Sequence, residues 1–173
     1  MSERGQMRVD VQQASTADRA IVANLLELYL YDFSPIDGGQ IGPDGRFSTS
    51  DMIASYWEDP QRHPFVIRAN DQLAGFALVK RGSALAGDLA AMDLAEFFIL
   101  RGYRRSGIGS IAARMLVERW PETWVVRVLA NHHEALAFWE RVIASYTAGR
   151  YMCDTVRQAD HTPPRDWRIF RFG

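Results

Sequence analysis

Ala95-Glu96-Phe97-Phe98-Ile99-Leu100-Arg101-Gly102-Tyr103-Arg104-Arg105-Ser106-Gly107-Ile108-Gly109-Ser110 is the stretch on which the fold turns. Its first six residues end a mostly apolar and aromatic run over 92–100, the pattern of a strand buried on both faces. Arg101-Gly102-Tyr103 leads into a glycine loop, and the spacing of Ile108, Ala112, Ala113, Met115 and Leu116 predicts a helix over about 108–120. Gly107 and Gly109 remove side chains where backbone must approach a ligand. The first N–H groups of a helix lack intrahelical partners, and with the helix dipole they favour a pyrophosphate. Arg104 and Arg105 add positive charge there, and Ser110 adds a hydroxyl donor. The glycine spacing alone would equally mark a turn that starts a helix. Its place between a buried strand and a good helix is what predicts a phosphate loop.

Upstream, residues 7–12 alternate as a first strand, and Ser15 or Thr16 caps a helix carrying Ile21, Val22, Leu25, Leu26, Leu28 and Tyr29. The glycine-rich segment 37–45 is expected to be irregular, and a second helix is expected over 51–58. Runs at 65–68 and 73–79 flank Ala69-Asn70-Asp71-Gln72, a hairpin signal. Downstream come a strand over 124–129, a helix over 134–143, and strands over 146–153 and 168–172. The last of these alternates charge with apolar residues, as a half-buried edge strand does. The order predicts an α/β fold with a mixed sheet, in a single domain over 1–173.

Composition narrows the function. The chain is 47% hydrophobic and 12% aromatic, which suits a packed core. Cys153 is the only cysteine, so no internal disulfide forms, and no Cys/His cluster has zinc spacing. No apolar run follows Met1–Gln6 as a secretory signal requires, and nothing approaches the ~18 apolar residues of a membrane helix. Net charge is −1 with Lys80 the sole lysine among scattered arginines, so neither nucleic acid nor a membrane surface is an expected partner. A reducing, cytoplasmic setting is expected.

The segment 95–109 resembles the central strand and pyrophosphate loop of the GCN5-related N-acetyltransferase superfamily. The five-residue spacing from Ile99 to Arg104 matches, and Ala135-Leu136-Ala137-Phe138-Trp139-Glu140-Arg141-Val142 is similar to that family's second cofactor helix. The resemblance implies a mostly antiparallel twisted sheet of about seven strands with about four helices, and acetyl-CoA as cofactor. It implies that Phe98 and Ile99 offer backbone groups to the pantetheine arm, the Ile99 N–H also facing the thioester carbonyl. Arg104, Arg105, Ser106, Gly107, Ile108, Gly109 and Ser110 would then surround the pyrophosphate, Asn131 would contact the cofactor, and Phe138 and Trp139 would line its channel. Tyr29, Tyr31 and Asp32 fall where the family places its acceptor. A homodimer is expected, as in many relatives.

Amine attack on a thioester calls for a base. Asp93 and Glu96 both lie on the central strand, three residues apart, and a regular strand sends them to opposite faces unless a bulge intervenes. Glu96 is the better candidate because Ala95, Phe97 and Phe98 flank it with apolar surface. The competing reading pairs it with an arginine of the neighbouring strand. Asp93, nearer the polar start, reads as solvated. Tyr56 and Trp57 read as core aromatics, and His132 and His133 as structural. Trp139 stands where the family usually has a proton-donating tyrosine, leaving Tyr146 as the nearest tyrosine in sequence. The function expected is acetyl transfer to the amine of a small molecule or peptide. The competing reading is a non-catalytic acyl-CoA-binding module on the same fold.

Overall fold

The computed structural model describes residues 7–47 and 50–173, so the reading of Met1–Gln6 lies outside the described residues. Strand β1 (Val9–Gln13) leads into a 3-10 turn at Thr16–Asp18, where the Ser15 N–H and hydroxyl both donate to the Asp18 carboxylate at 2.8 Å. Helix α1 (Arg19–Asp37) buries Val22, Leu25 and Leu26, while Leu28 stays 50% exposed. Pro35 sits in its last turn and has no N–H for the Tyr31 carbonyl, and the Ser34 hydroxyl donates to that carbonyl instead, at 2.8 Å. The helix stops at Gly38, in the left-handed region at φ 77°.

Helix α2 (Ser50–Glu58) is followed by β2 (Arg62–Ala69) and β3 (Gln72–Ser83). Asn70 and Asp71 between them take φ of 47° and 66°, as the two-residue turn of a tight hairpin requires. Then come β4 (Asp88–Ile99), α3 (Ile108–Val117), β5 (Trp124–Leu129), α4 (His133–Thr147), β6 (Met152–Gln158) and β7 (Arg165–Phe172). The seven strands form one sheet in the order β1-β2-β3-β4-β5-β7-β6, antiparallel except for β4 beside β5.

Helices α3 and α4 cover one face, burying Ile108, Ala112, Ala113, Leu116, Trp139 and Ile143 against Phe65, Val126 and Phe170. Helices α1 and α2 cover part of the other, with Leu26, Ile53 and Tyr56 against Phe76, Leu78 and Phe98. Among the described residues no helix is long and apolar enough to cross a membrane.

Two sequence expectations are corrected. The strand expected over 146–153 begins only at Met152, because α4 runs on to Thr147 and ends where Ala148 and Gly149 turn left-handed. The C-terminal strand is not an edge. β7 lies between β5 and β6 and is buried on both faces at its centre, with Phe170 and Phe172 in the core under α3 and α4 and Ile169 against Ala91 and Val125 on the other side.

Candidate active site

A change of register in β4 decides the site. Leu78 of β3 faces Glu96, but the next residue, Val79, faces Leu94, so Ala95 is an extra residue in the ladder. Such a bulge flips the alternation. Asp93, opposite Lys80, and Glu96, opposite Leu78, therefore share the face that α1 and α2 partly cover. Phe97 points the other way and meets Trp139 at 5.2 Å and Phe138 at 6.1 Å between ring centroids.

The bulge also ends the pairing with β5. Met92–Leu94 face Trp124–Val126, and beyond them β4 runs to Ile99 and β5 to Leu129 with no ladder between them. The strands thus open a gap, and on the Phe97 side of β4 the rings of Phe138 and Trp139 pack beside it. The Leu100 N–H bonds the Ala74 carbonyl, so alternation puts the backbone groups of Phe98 and Glu96 on β3. The groups of Phe97 and Ile99, not Phe98, face the gap.

At its mouth, the loop into α3 holds Arg105 at φ 62° and Gly107 at φ 87°. The first helical bond onto Gly107 comes from the Ile111 N–H at 3.1 Å, so the N–H groups of Ile108, Gly109 and Ser110 project from the helix end. Three projecting donors at the positive end of a helix, beside a left-handed loop, fit a pyrophosphate. Gly109 has a packing task as well, since a Cβ there would lie 3.2 Å from the Phe138 ring and 3.5 Å from the Ile99 side chain. Gly75, on β3, is needed where the strands are closest, as its Cβ would lie 2.0 Å from the Phe98 carbonyl oxygen.

The charged loop side chains divide. Arg105 and Ser110 are exposed beside the helix end, while the Ser106 hydroxyl donates to the Tyr103 carbonyl at 2.6 Å. Arg104 folds back instead, donating to the Ile99 carbonyl at 2.8 Å, pairing with Asp32 and lying 5.5 Å over the Phe98 ring. Arg101 also donates to Asp32, at 2.6 Å. Burial works to raise the Asp32 carboxyl, but the Arg104 and Arg101 hydrogen bonds outweigh it and hold it below its ordinary value. Asp32 thus clamps the end of α1 to the end of β4. The Asn131 amide donates to the Ile36 carbonyl at 3.2 Å, a second tie to α1.

On the opposite face, burial raises the Glu96 carboxyl. The Tyr29 hydroxyl, placed to donate to it, and the charge of Arg127 only partly offset this. Burial first, and the Glu96 charge second, also raise the Tyr29 phenol, so Tyr29 stays protonated. Its ring stacks on Phe33 at 5.6 Å and meets Phe98 at 5.7 Å. Tyr56 is buried beside the same carboxylate. Tyr31 is 71% exposed and turned away from them.

Asp93 is corrected from solvated to fully buried, with the Arg127 guanidinium at 3.0 Å. The arginine pairing weighed for Glu96 belongs to Asp93. Tyr146 is also corrected. It packs on Phe172, opposite the start of β5, and lies 6.0 Å from Arg114 on α3, at the far end of β5 from the gap. Sequence reasoning placed Tyr29 with the acceptor but missed its position beside Glu96, which the packing of α1 on the sheet brings out, and missed Arg127 beside Asp93. His132 packs on Phe33 at 5.6 Å, and no three potential ligands gather around a metal position among the described residues.

No curated protein sequence gives a match. Solved structures do, over nearly the whole length. An acetyltransferase from Thermus thermophilus aligns at TM-score 0.66 and 14% identity, covering 95% of this chain and 97% of that one. The ribosomal-protein-S18-alanine N-acetyltransferase of Escherichia coli aligns at 0.61 and 17%, covering 95% and 92%. Arabidopsis thaliana NAA60 in complex with acetyl-CoA aligns at 0.61 and 14%, covering 95% and 98%. At such identities these establish the shared fold. Residues 25–143, more than half of the sequence, match the Acetyltransferase (GNAT) family and contain the bulged strand, the gap and the helix end, so the chain belongs to that family and is an acetyltransferase.

Proposed function

We propose that the chain moves the acetyl group of acetyl-CoA to the amine of a small molecule or peptide by direct attack, with Glu96 accepting the amine's proton. One observation carries this reading. The bulge at Ala95 places a carboxylate of raised proton affinity on one face of β4, a strand's thickness from a gap that ends at α3's free N–H groups. Acetyl-CoA supplies an acetyl group already activated as a thioester.

The chain's residues do the rest. Ile108, Gly109 and Ser110 bind pyrophosphate through backbone N–H groups, with Arg105 adding charge. Phe138 and Trp139, joined by Phe97, exclude water from the gap. The Ile99 N–H faces the gap and is the donor for a thioester carbonyl. An amine of pKa near 10.4 is unprotonated in only about one molecule in 2,500 at pH 7, so a base gains most there. Tyr29 orients Glu96, and the acceptor enters past Tyr29. A thiol of pKa near 8.5 leaves with little acid help, which suits an indole at position 139.

The test combines calorimetry of CoA binding with thioester turnover over a panel of amines. Binding with turnover supports the reading; tight binding without turnover on any amine would favour an acyl-CoA-binding module. The single thiol, Cys153, fits a cytoplasmic setting. A homodimer is favoured by the open edge at β6, where Met152 is 64% exposed, and a sedimentation mass of one chain at micromolar concentration would refute it.

A further inference from the structure

The face that carries Glu96 continues into a cavity of about 660 Å³ between the ends of β3, β4, β5 and β6, a volume suited to a small molecule. Lys80, Ser83, Asp93, Arg127, Arg157 and Asp160 line it. Its charges are unevenly engaged. Arg127 is held by Asp93 at 3.0 Å, and Arg157 leans on Asp166 at 3.3 Å. Asp160 is exposed at the rim. Two inner groups are left over. Lys80 is half-buried and makes no ion pair among the described residues, although it is the chain's only lysine. Ser83 is 1% exposed, and its hydroxyl has no hydrogen-bond partner among the described residues. Buried polar groups are as a rule satisfied, so a donor pair left free in a cavity points to a ligand acceptor.

We propose that Lys80 and Ser83 form an anion subsite that holds a carboxylate of the acceptor while its amine faces Glu96, so that the substrates are amines that also carry a carboxylate. The proposal rests on the acceptor reading of the Glu96 face. Lys80 lies two residues along β3 from Leu78, the residue opposite Glu96, and on the same face. That separates the two positions by about 7 Å along the strand. The separation is roughly the reach of 4-aminobutyrate or 6-aminohexanoate. Burial lowers the Lys80 amine, with the Asp93 charge working the other way, and a bound carboxylate would hold it charged.

The experiment runs two readouts on the full chain. First, kcat/KM is compared between ω-amino acids (glycine, β-alanine, 4-aminobutyrate, 6-aminohexanoate) and the alkylamines of the same length. The expected preference for the longer amino acids is about 10-fold or more, the scale of a charged hydrogen bond. The ratio should fall to about one in Lys80→Met and survive in Lys80→Arg. Second, reductive methylation with carbon-13 formaldehyde marks Lys80 and the chain's α-amine, keeping both charges, and the Lys80 signal is the one missing in Lys80→Arg. Adding 6-aminohexanoate should shift that signal, and hexylamine should not. If neither series turns over but 6-aminohexanoate still moves the signal, the subsite binds a carboxylate but does not serve the acceptor, and the proposal fails while the transferase reading stands on the wider amine panel. Alkylamines turning over as well as amino acids, with the Lys80 signal unmoved, would overturn the subsite and leave the transferase reading intact.

Discussion

Ser110→Glu isolates the helix end from the rest of the fold. Ser110 is exposed, third in α3, and its hydroxyl makes no hydrogen bond among the described residues. The apolar side of α3, from Ile108 through Ala112, Ala113, Leu116 and Val117, is untouched by the change. A carboxylate in the first turn stabilises a helix by about 0.3–1 kcal/mol, so thermal unfolding should shift upward or not at all. Binding should move the other way. One unit charge about 6 Å from another is repelled by ~0.7 kcal/mol in bulk water and by twice that at half the dielectric constant. A pyrophosphate carries two such charges, so the loss is about 1.4–2.8 kcal/mol, or roughly 10- to 100-fold in Kd. Calorimetry with CoA reads this directly. Raising salt to 1 M shortens screening to about 3 Å and should recover part of the loss. Ser110→Gln, of equal size and no charge, should cost less than about 3-fold. Unchanged CoA affinity in the stably folded glutamate variant, or an equal loss in the glutamine variant, would refute the assignment of this helix end to the phosphates.

The remaining outcomes concern the base, the clamp and the discarded acid. Glu96→Gln should lower turnover by more than ~10-fold near neutrality, with a deficit that shrinks as rising pH deprotonates the amine; a constant deficit across pH would count against a base role. Burial raises the native Glu96 carboxyl, so its proton favours the folded state at low pH, and that contribution is lost as pH rises past the unfolded value near 4.3. Glu96→Gln should therefore melt no lower than the unmutated chain at pH 7.5, and any advantage should vanish by pH 4. Arg104→Met removes the donor on the Ile99 carbonyl and one arm of the Asp32 clamp, which should cost about 1–2 kcal/mol in denaturant unfolding. If it weakens CoA binding as much as Ser110→Glu, Arg104 reaches the phosphates after all. Tyr146→Phe should leave turnover within about 3-fold, far below the ~100-fold of a general acid, and a loss on that larger scale with folding intact would restore Tyr146 to the mechanism.

The fold was legible where local chemistry and tertiary environment agree. The apolar run into Ile99, the glycines at 107 and 109 and the spacing of Ile108, Ala112 and Leu116 all answer to one buried strand meeting one helix. Elsewhere local pattern fell short. Tyr146 and Tyr151 have the β-propensity that suggested a strand, yet burial of Trp139, Ile143 and Thr147 keeps α4 helical past Tyr146. The hidden charge of Asp93 was illegible because its partner, Arg127, is 34 residues away on a strand reached only through the parallel pairing. Tyr29, on α1, comes beside Glu96 only through the packing of that helix on the sheet. The glycine loop is contiguous in sequence, whereas the surroundings of Glu96 are assembled from α1, β3, β4 and β5, and no spacing rule spans them.

The extra residue at Ala95 gives β4 a fixed phase. Deleting Ala95 would restore strict alternation and leave Asp93 and Glu96 two residues apart on the same face, but it would remove the irregularity at which the ladder with β5 stops. Adding one would slide Phe97 off its aromatic neighbours and carry Ile99 out of step with the loop. Side chains along this strand can be exchanged one at a time, with effects confined to each. Its count of residues cannot, because the one extra residue marks where β4 parts from β5 and where Phe97 and Ile99 turn their backbone groups to the gap.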